Sequence, residues 1–132
     1  MRAALARLLR GLSPRRHSGV YAFVVVPPGA DTQSLQPLAS FNETEGTTLI
    51  VDERRALAAG LTVRMRAAWL TLAVPSDLLD VGLTAAVAGA LADAGIACNV
   101  VAAVHHDHLF VPVEQADAAL VVLVALQRAA GE

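Results

Sequence analysis

The sequence predicts an α+β fold made of two units that share one order of elements. Residues 68–128 show the pattern of strand, helix, strand, strand and helix, and residues 19–67 show strand, loop, strand, strand, helix and strand. Both orders fit the β-α-β-β-α-β plan of the ferredoxin-like fold, an antiparallel sheet with helices on one face. We therefore expect two such units in tandem, with the first helix of the first unit reduced to a loop.

Turn residues separate the predicted elements of the first unit. Residues Gly19 to Val26 are rich in β-branched and aromatic side chains, and Pro27-Pro28-Gly29 stops them, which is typical of a buried strand. Asp52 can accept hydrogen bonds from the free amides of a following helix, and Gly60 can end that helix. The predicted elements are a strand over 19–26, a hairpin over 38–51 turning at Gly46, and a helix over 53–59.

The second unit is predicted to begin in an extended stretch, residues 62–74, with a bend near residues 67–69. Its later elements are a helix from Gly82 to Ala94, a strand over 96–104, a turn at 105–107, a strand over 108–112 and a helix over 114–128. No final strand follows Arg128, so we expect a strand from the first half of the chain to take that place. The last helix is apolar nearly all round and must bury a second face, either against the other half of the chain or against another subunit. We favour a homo-oligomer.

Residues 1–18 are predicted to form a helix and an arm. Leucines at positions 5, 8, 9 and 12 make an apolar stripe on a helix over Ala3–Arg10, with Arg2, Arg7 and Arg10 beside it. An export signal would need an apolar core free of charge, which this segment lacks. A membrane-surface or RNA-binding arm remains as an alternative, but we favour a helix that packs its stripe on the domain. The predicted organisation is thus an arm (1–18), a degenerate unit (19–67) and a second unit (68–128), the two units sharing one core.

Charge and composition exclude several classes of protein. The net charge of −2 divides into +4 over residues 1–66 and −6 over residues 67–132, and no basic residue lies between Arg66 and Arg128. Nucleic-acid binding needs several cations along a phosphate backbone, so the second half is excluded and the arginine-rich first half is the only candidate. We do not favour a nucleic-acid partner. The longest apolar run is nine residues, Ala118–Leu126, far below the length of a membrane span. The single Cys98 excludes an internal disulfide and favours the cytoplasm.

Four segments carry a resemblance to a known family. They are Ala68–Leu72, Val81–Val87, Leu91–Ala102 and the run His-His-Asp-His-Leu-Phe-Val-Pro-Val at 105–113. These segments resemble ACT domains, and most closely a family of small stand-alone bacterial proteins with two ACT-like units. The first half resembles that family more loosely, so that the likeness covers about residues 5–128. It implies a non-enzymatic regulatory module that binds an amino acid or another small molecule, without a cofactor, and passes the event to a partner.

The resemblance also implies where a ligand binds. In the wider group, ligands lie between the loop before the first helix and the second strand of a neighbouring unit. A helix N-terminus offers free amides and a positive dipole end to a carboxylate, and Asn99 offers both donors and an acceptor. Asp77 and Asp80 are added from charge alone, as acceptors for an ammonium group. The candidate ligand-binding residues are Gly82, Leu83, Thr84, Asn99, Val100, Val101, Asp77 and Asp80.

Two other functions remain open at this point. A structural or adaptor protein would have a degenerate, empty site and act through protein contacts. A metal site could use His106, His108 and Asp107, since alternate residues of an extended chain point the same way. A tight turn, with Asp107 bonding its own backbone and the histidines on the surface, explains the same residues without a metal. We interpret Cys98 as a small core residue rather than a nucleophile, and predict no catalytic residue.

Overall fold

The computed structural model describes residues 3–132, so Arg2 of the predicted arginine set lies outside the described residues. Within residues 3–132 the α-helices are α1 (Ala3–Arg10), α2 (Glu53–Ala58), α3 (Leu83–Asp93) and α4 (Ala116–Ala130). The strands are β1 (Pro14–Arg16), β2 (Tyr21–Val26), β3 (Ala39–Asn42), β4 (Thr47–Asp52), β5 (Met65–Leu72), β6 (Asn99–Ala102) and β7 (Asp107–Pro112).

The chain forms two compact units. One is contiguous, residues 18–68, and the other combines residues up to 17 with residues 69–132. In the contiguous unit the strands lie in the order β3-β4-β2-β5, all antiparallel. A loop with one 3₁₀ turn at Gln33–Leu35 stands where a ferredoxin-like unit has its first helix. The predicted tandem fold, with a degenerate first unit, is confirmed.

The core of the contiguous unit follows from alternation along β2. Ala22, Val24 and Val26 point to one face and are buried with Leu49 and other residues of β4, α2 and the 3₁₀ turn. Helix α2 begins where predicted, because the Asp52 side chain accepts a hydrogen bond from the Arg54 amide at 2.9 Å. That bond satisfies one of the amides that a helix leaves free at its start.

The second unit takes its fourth strand from the beginning of the chain. Its strands lie in the order β1-β5-β7-β6, and Pro14 to Arg16 pair antiparallel with Leu72 to Leu70. The expectation that an earlier strand fills this place is confirmed, although residues 14–16 were predicted as part of an arm. Strand β5 runs unbroken from Met65 to Leu72, so the bend expected near residues 67–69 does not interrupt it.

The three helices of this unit pack on one another. Leu9 and Leu12 of the predicted stripe are fully buried, and α1 contacts both α3 and α4. Gln127 joins α4 to the end of α1: its Nε2 donates to the Arg10 carbonyl at 2.8 Å, and its Oε1 accepts from the Ser13 amide at 2.9 Å. These bonds hold the turn into β1, where Ser13 has a positive φ of 45°. Among residues 3–132 no helix has the length and apolar character of a membrane span.

Candidate ligand site at the start of helix α3

Helix α3 begins without a side-chain cap. Gly82 precedes its first residue with φ at 103°, a conformation that side chains other than hydrogen disfavour, and it offers the helix no capping oxygen. A Cβ on Gly82 would lie 3.0 Å from Leu5 Cδ2, so the α1 leucine fills the space on that side. Leu83 is buried in the core, whereas Thr84 is exposed. Of these three predicted residues, Thr84 presents its side chain to a ligand arriving from solvent.

The loop before α3 is braced by its own two carboxylates. Asp80 Oδ2 accepts from the Asp77 amide at 2.7 Å, and Asp77 Oδ1 accepts from the Leu79 amide at 3.0 Å. The Ser76 amide donates to the His105 carbonyl at 3.3 Å, which joins the loop to the turn before β7. Asp77 and Asp80 are both exposed, and each carboxylate keeps lone pairs beyond those that the loop amides use.

The predicted strand residues lie on β6, which pairs with β7 and forms the outer strand of its unit. Asn99 stands opposite Phe110, and Val101 opposite His108, so Asn99 and Val101 share one face. Val100 points to the other face by alternation. Within residues 3–132 no hydrogen bond joins these strand residues to the start of α3. Both halves of the predicted site belong to the same compact unit.

The histidine segment differs from its prediction. The turn comprises residues 103–106, and Asp107 is the first residue of β7, with an exposed fraction of only 7%. Asp107 thus does not bond its own backbone in a turn, and His108 does not decorate the surface. The expectation failed because the alternation of strand β7 begins one residue earlier than the polar run suggests. Within the described part of the chain, no group of three His, Cys, Asp or Glu side chains is placed to hold a metal ion.

His108 belongs to a polar cluster that the sequence pattern did not reveal. Trp69 Nε1 donates to His108 Nδ1 at 3.1 Å, and Thr71 Oγ1 lies 2.9 Å from the same nitrogen. Thr71 Oγ1 also lies 2.7 Å from His17 Nε2, and the His17 ring stacks on Trp69 with centroids 3.4 Å apart. The available signal was alternation: Trp69 and Thr71 share a face of β5.

The Trp69 hydrogen bond fixes the chemistry of His108. An indole N–H can only donate, so Nδ1 of His108 must be unprotonated and the ring is neutral with its proton on Nε2. Burial, and then the charge of His106, lower the pKa of His108, while Asp107 opposes them. Burial also lowers the pKa of His17, with contributions from His108 and Arg15. Neither nitrogen of neutral His108 then offers a free lone pair to a metal, which removes a ligand from the candidate metal site.

Cys98 lies just before β6 and is half-buried. Burial raises the pKa of its thiol to about 11. A thiol with that pKa is protonated at neutral pH and is a poor nucleophile. This agrees with the interpretation of Cys98 as a packing residue.

A long groove follows the exposed side of α4. Its volume is about 550 Å³, and it is lined by Leu120, Val121, Val124, Ala125, Arg128, Ala129 and Glu132. Val121 within it is 70% exposed. In the contiguous unit, a cavity of about 430 Å³ is lined by residues 18–20 and 52–54, where Arg54 is already paired with Asp52 at 3.0 Å. The α4 groove is mostly apolar, which suits a protein surface better than a polar metabolite.

Comparison with known proteins identifies the class of fold. Two ACT-domain models match the chain, one over residues 3–68 and the other over residues 64–125. A Vibrio cholerae protein of unknown function, noted as a possible transport protein, is 43% identical, with a TM-score of 0.84 over 93% of this chain and 95% of its own. The regulatory subunit of aspartate kinase from Thermus flavus is 13% identical, with a TM-score of 0.65 over 86% of this chain and 95% of that one. None of the curated proteins matches the chain.

The chain therefore belongs to the ACT-domain family. ACT domains are regulatory, ligand-binding modules rather than catalytic ones, and no catalytic family is indicated by the matches. The likeness to the aspartate kinase subunit, at 13% identity, concerns the fold.

Replacing Gly82 with alanine tests how α3 is held. The positive φ and the Leu5 contact both disfavour a Cβ, so we expect Gly82→Ala to lower the free energy of unfolding by about 1–3 kcal/mol. Gly89→Ala, in the middle of the same helix with no atom near its new methyl group, should raise it by about 0.5–1 kcal/mol. Urea denaturation measures both. Equal effects of the two variants would contradict the packing described for Gly82.

The state of His108 gives a pH dependence. Because folding lowers the pKa of His108 and His17 below 6.5, the unfolded chain binds more protons as the pH falls through that value. Through these two histidines, the free energy of unfolding should fall as the pH is lowered from 7 to 5. His108→Asn should make the free energy of unfolding less dependent on pH, since the asparagine oxygen can accept the Trp69 hydrogen bond without titrating. The control variant His105→Gln, at an exposed position, should keep the pH dependence of the wild type. A slope that is the same in wild type and His108→Asn would rule out this role.

Proposed function

We propose that this protein is a non-enzymatic regulatory module that binds an amino acid at the start of helix α3. The observation that carries the proposal is the uncapped first turn of α3 beside exposed Asp77 and Asp80, in the unit that has its full set of strands and helices. Helix-end amides suit a carboxylate, and aspartate oxygens suit an ammonium group. An amino acid carries both groups a few ångströms apart.

Family membership supports the regulatory part of this proposal, since small-molecule binding is what ACT domains do. The amino acid as ligand class rests on the charges at the site. In the proposal Thr84 and the first amides of α3 contact the carboxylate. Asn99 and Val101, on the exposed face of the outer strand β6, contact the ligand of a neighbouring copy. The protein acts in the cytoplasm, where the lone Cys98 stays reduced.

Amino-acid binding is tested by thermal unfolding against the twenty amino acids, one at a time. A ligand at 100 times its Kd adds about 2.7 kcal/mol to the free energy of unfolding, which raises the Tm by several degrees. Thr84→Asp should abolish that rise in Tm, because the new carboxylate repels the carboxylate of the ligand. The same substitution should stabilise the free protein by about 0.5 kcal/mol, because a negative charge is favourable near a helix N-terminus. Ala118→Asp places the same charge in the first turn of α4 and should preserve binding.

If Thr84→Asp retained the full shift, the carboxylate would not bind at α3. A screen in which no amino acid shifts the Tm of the wild-type protein would remove the proposed ligand class.

An adaptor protein without a ligand is the second candidate function. Two observations favour it: Leu5 fills the space beside Gly82, and α4 exposes the mostly apolar groove that ends at Glu132. In this case the start of α3 is an empty remnant of a ligand site, and the groove binds a partner. A second copy of the chain is the simplest such partner, and self-association is also part of the ligand-binding proposal.

Self-association through α4 is tested by molecular mass. We expect wild-type protein at micromolar concentration to show at least twice the 13.7 kDa mass of one chain in light scattering. Val121→Glu places a charge in the middle of the groove and should reduce the mass to that of one chain, because an unpaired charge is costly to bury. The control is Ala92→Glu, which adds the same charge at an exposed position of α3 and should leave the mass unchanged. A wild-type mass of 13.7 kDa would eliminate the oligomer.

A further inference from the structure

Helix α4 carries one continuous stripe along its exposed side. Asp117, Val121, Val124 and Arg128 follow one another at spacings of four, three and four residues, so they lie along a single side of the helix. The last three of these residues line the groove of about 550 Å³. The buried residues of α4 lie on the opposite side of the helix. The stripe therefore faces away from the core of its own unit.

The stripe has opposite charges at its two ends and hydrocarbon between them. Asp117 and Arg128 are both exposed, and the Asp117 side chain is 94% exposed. Asp117 Oδ1 lies 3.3 Å from Arg16 Nη1, which leaves the other carboxylate oxygen for a second cation. Within residues 3–132 the Arg128 guanidinium forms no ion pair. The helix dipole accounts for the sign of each charge, but not for their place on the same stripe as two valines.

This stripe is complementary to a reversed copy of itself. Asp117 and Val121 lie as far before its midpoint as Arg128 and Val124 lie after it. A second α4 that crosses the stripe antiparallel, with a two-fold axis at the midpoint, places each Asp117 against the other copy's Arg128. It also places each Val121 against the other copy's Val124. Closed dimers use such self-complementary surfaces, whereas a parallel second helix would bring like charges together at both ends.

We propose that two copies of the chain meet through this α4 stripe in an antiparallel arrangement, with reciprocal Asp117–Arg128 ion pairs on either side of the valines. This inference rests on the self-association that forms part of the proposed function, and it adds the orientation and register of the two helices. The valines supply the apolar contact, and the charges select the arrangement, because like charges oppose the alternatives. One helix pair buries less than the roughly 800 Å² per partner of a standard interface, so the dimer is expected to be weak.

Reversal of the two charges tests the inference. Asp117→Arg places two arginines opposite each other at both ends of the helix pair, and Arg128→Asp does the same with two aspartates. Each variant alone should dimerise about tenfold more weakly than the wild type in sedimentation equilibrium, because two attractions become repulsions. An equal mixture of the two variants should recover the wild-type affinity as a heterodimer. A loss of helix stability cannot explain such a recovery.

The double variant Asp117→Arg/Arg128→Asp tests the orientation. In the antiparallel arrangement it should dimerise with itself as the wild type does, and it should not form heterodimers with the wild type. Parallel helices would give the opposite result, since each reversed charge would then meet its wild-type counterpart. Asp93→Arg makes the same change of net charge at an exposed position of α3 and should dimerise like the wild type.

A further control separates the stripe from the contact inside the chain. Arg16→Gln removes the intrachain partner of Asp117 without reversing a charge on the stripe, and it should leave dimerisation unchanged. If Arg16→Gln weakened the dimer as much as Asp117→Arg does, Asp117 would act by holding β1, and the inference would be overturned.

Salt dependence replaces the reversals should either of them fail to fold, since neither new charge suits the dipole of α4. Raising NaCl from about 0.05 M to about 0.5 M should weaken the wild-type dimer severalfold through screening of the ion pairs. The neutral double variant Asp117→Asn/Arg128→Gln should lose most of this dependence. Equal salt dependence in the two proteins would contradict the inference.

The outcomes distinguish this inference from the proposed function. Unchanged dimerisation of both single reversals, or heterodimers of the double variant with the wild type, overturns the antiparallel arrangement and leaves self-association intact. A wild-type protein that stays monomeric overturns the inference and the self-association together. The test for an amino acid at the start of α3 is independent of each of these results.

Discussion

The pairing of β1 with β5 is the constraint on which the larger unit depends. Leu70 and Leu72 lie in the core of that unit, and Pro14–Arg16 supply the hydrogen bonds along one edge of their strand. The pairing also fixes His17 opposite Trp69, which places its ring for stacking on the indole. Gln127 holds the turn that leads into β1. In helix α1, which precedes that turn, the Leu5 side chain lies against Gly82. The conformation at the start of α3 is thus coupled to a three-residue strand far away in sequence.

Much of the fold could be predicted because its elements carry strong local signals. Asp52, Gly60 and the β-branched run at residues 21–26 define their elements almost alone, and the order of elements identifies the plan. Strand β1 has no such signal, since Pro14-Arg15-Arg16 is short and polar. A strand from elsewhere was expected only because no final strand of the second unit follows Arg128. The continuity of β5 could not be predicted from a local pattern either, because it depends on tertiary pairing with β2 at residues 65–67 and with β1 at residues 70–72.

The elements that carry the candidate site could be predicted, whereas the contacts around it could not. Helix α3 and strand β6 both form, but Leu5, which fills the space beside Gly82, comes from another helix. His108 and Asp107 show why side-chain roles escape a linear pattern. They are neighbours in sequence and point to opposite faces of β7. His108 therefore accepts a hydrogen bond from Trp69, whereas Asp107 shares its face with the buried Leu109 and Val111. A one-residue error in the start of the strand exchanges these environments.

The discontinuous make-up of the larger unit has a consequence for biosynthesis. Residues 18–68 form a contiguous unit that can close as soon as it has left the ribosome, whereas β1 is synthesised first and finds β5 only after about fifty further residues. Until then α1 carries its leucine stripe without the helices that bury it. Apolar surface that is exposed before its partners are synthesised makes a folding chain prone to aggregation. The topology therefore delays completion of the larger unit until after the contiguous unit has been synthesised.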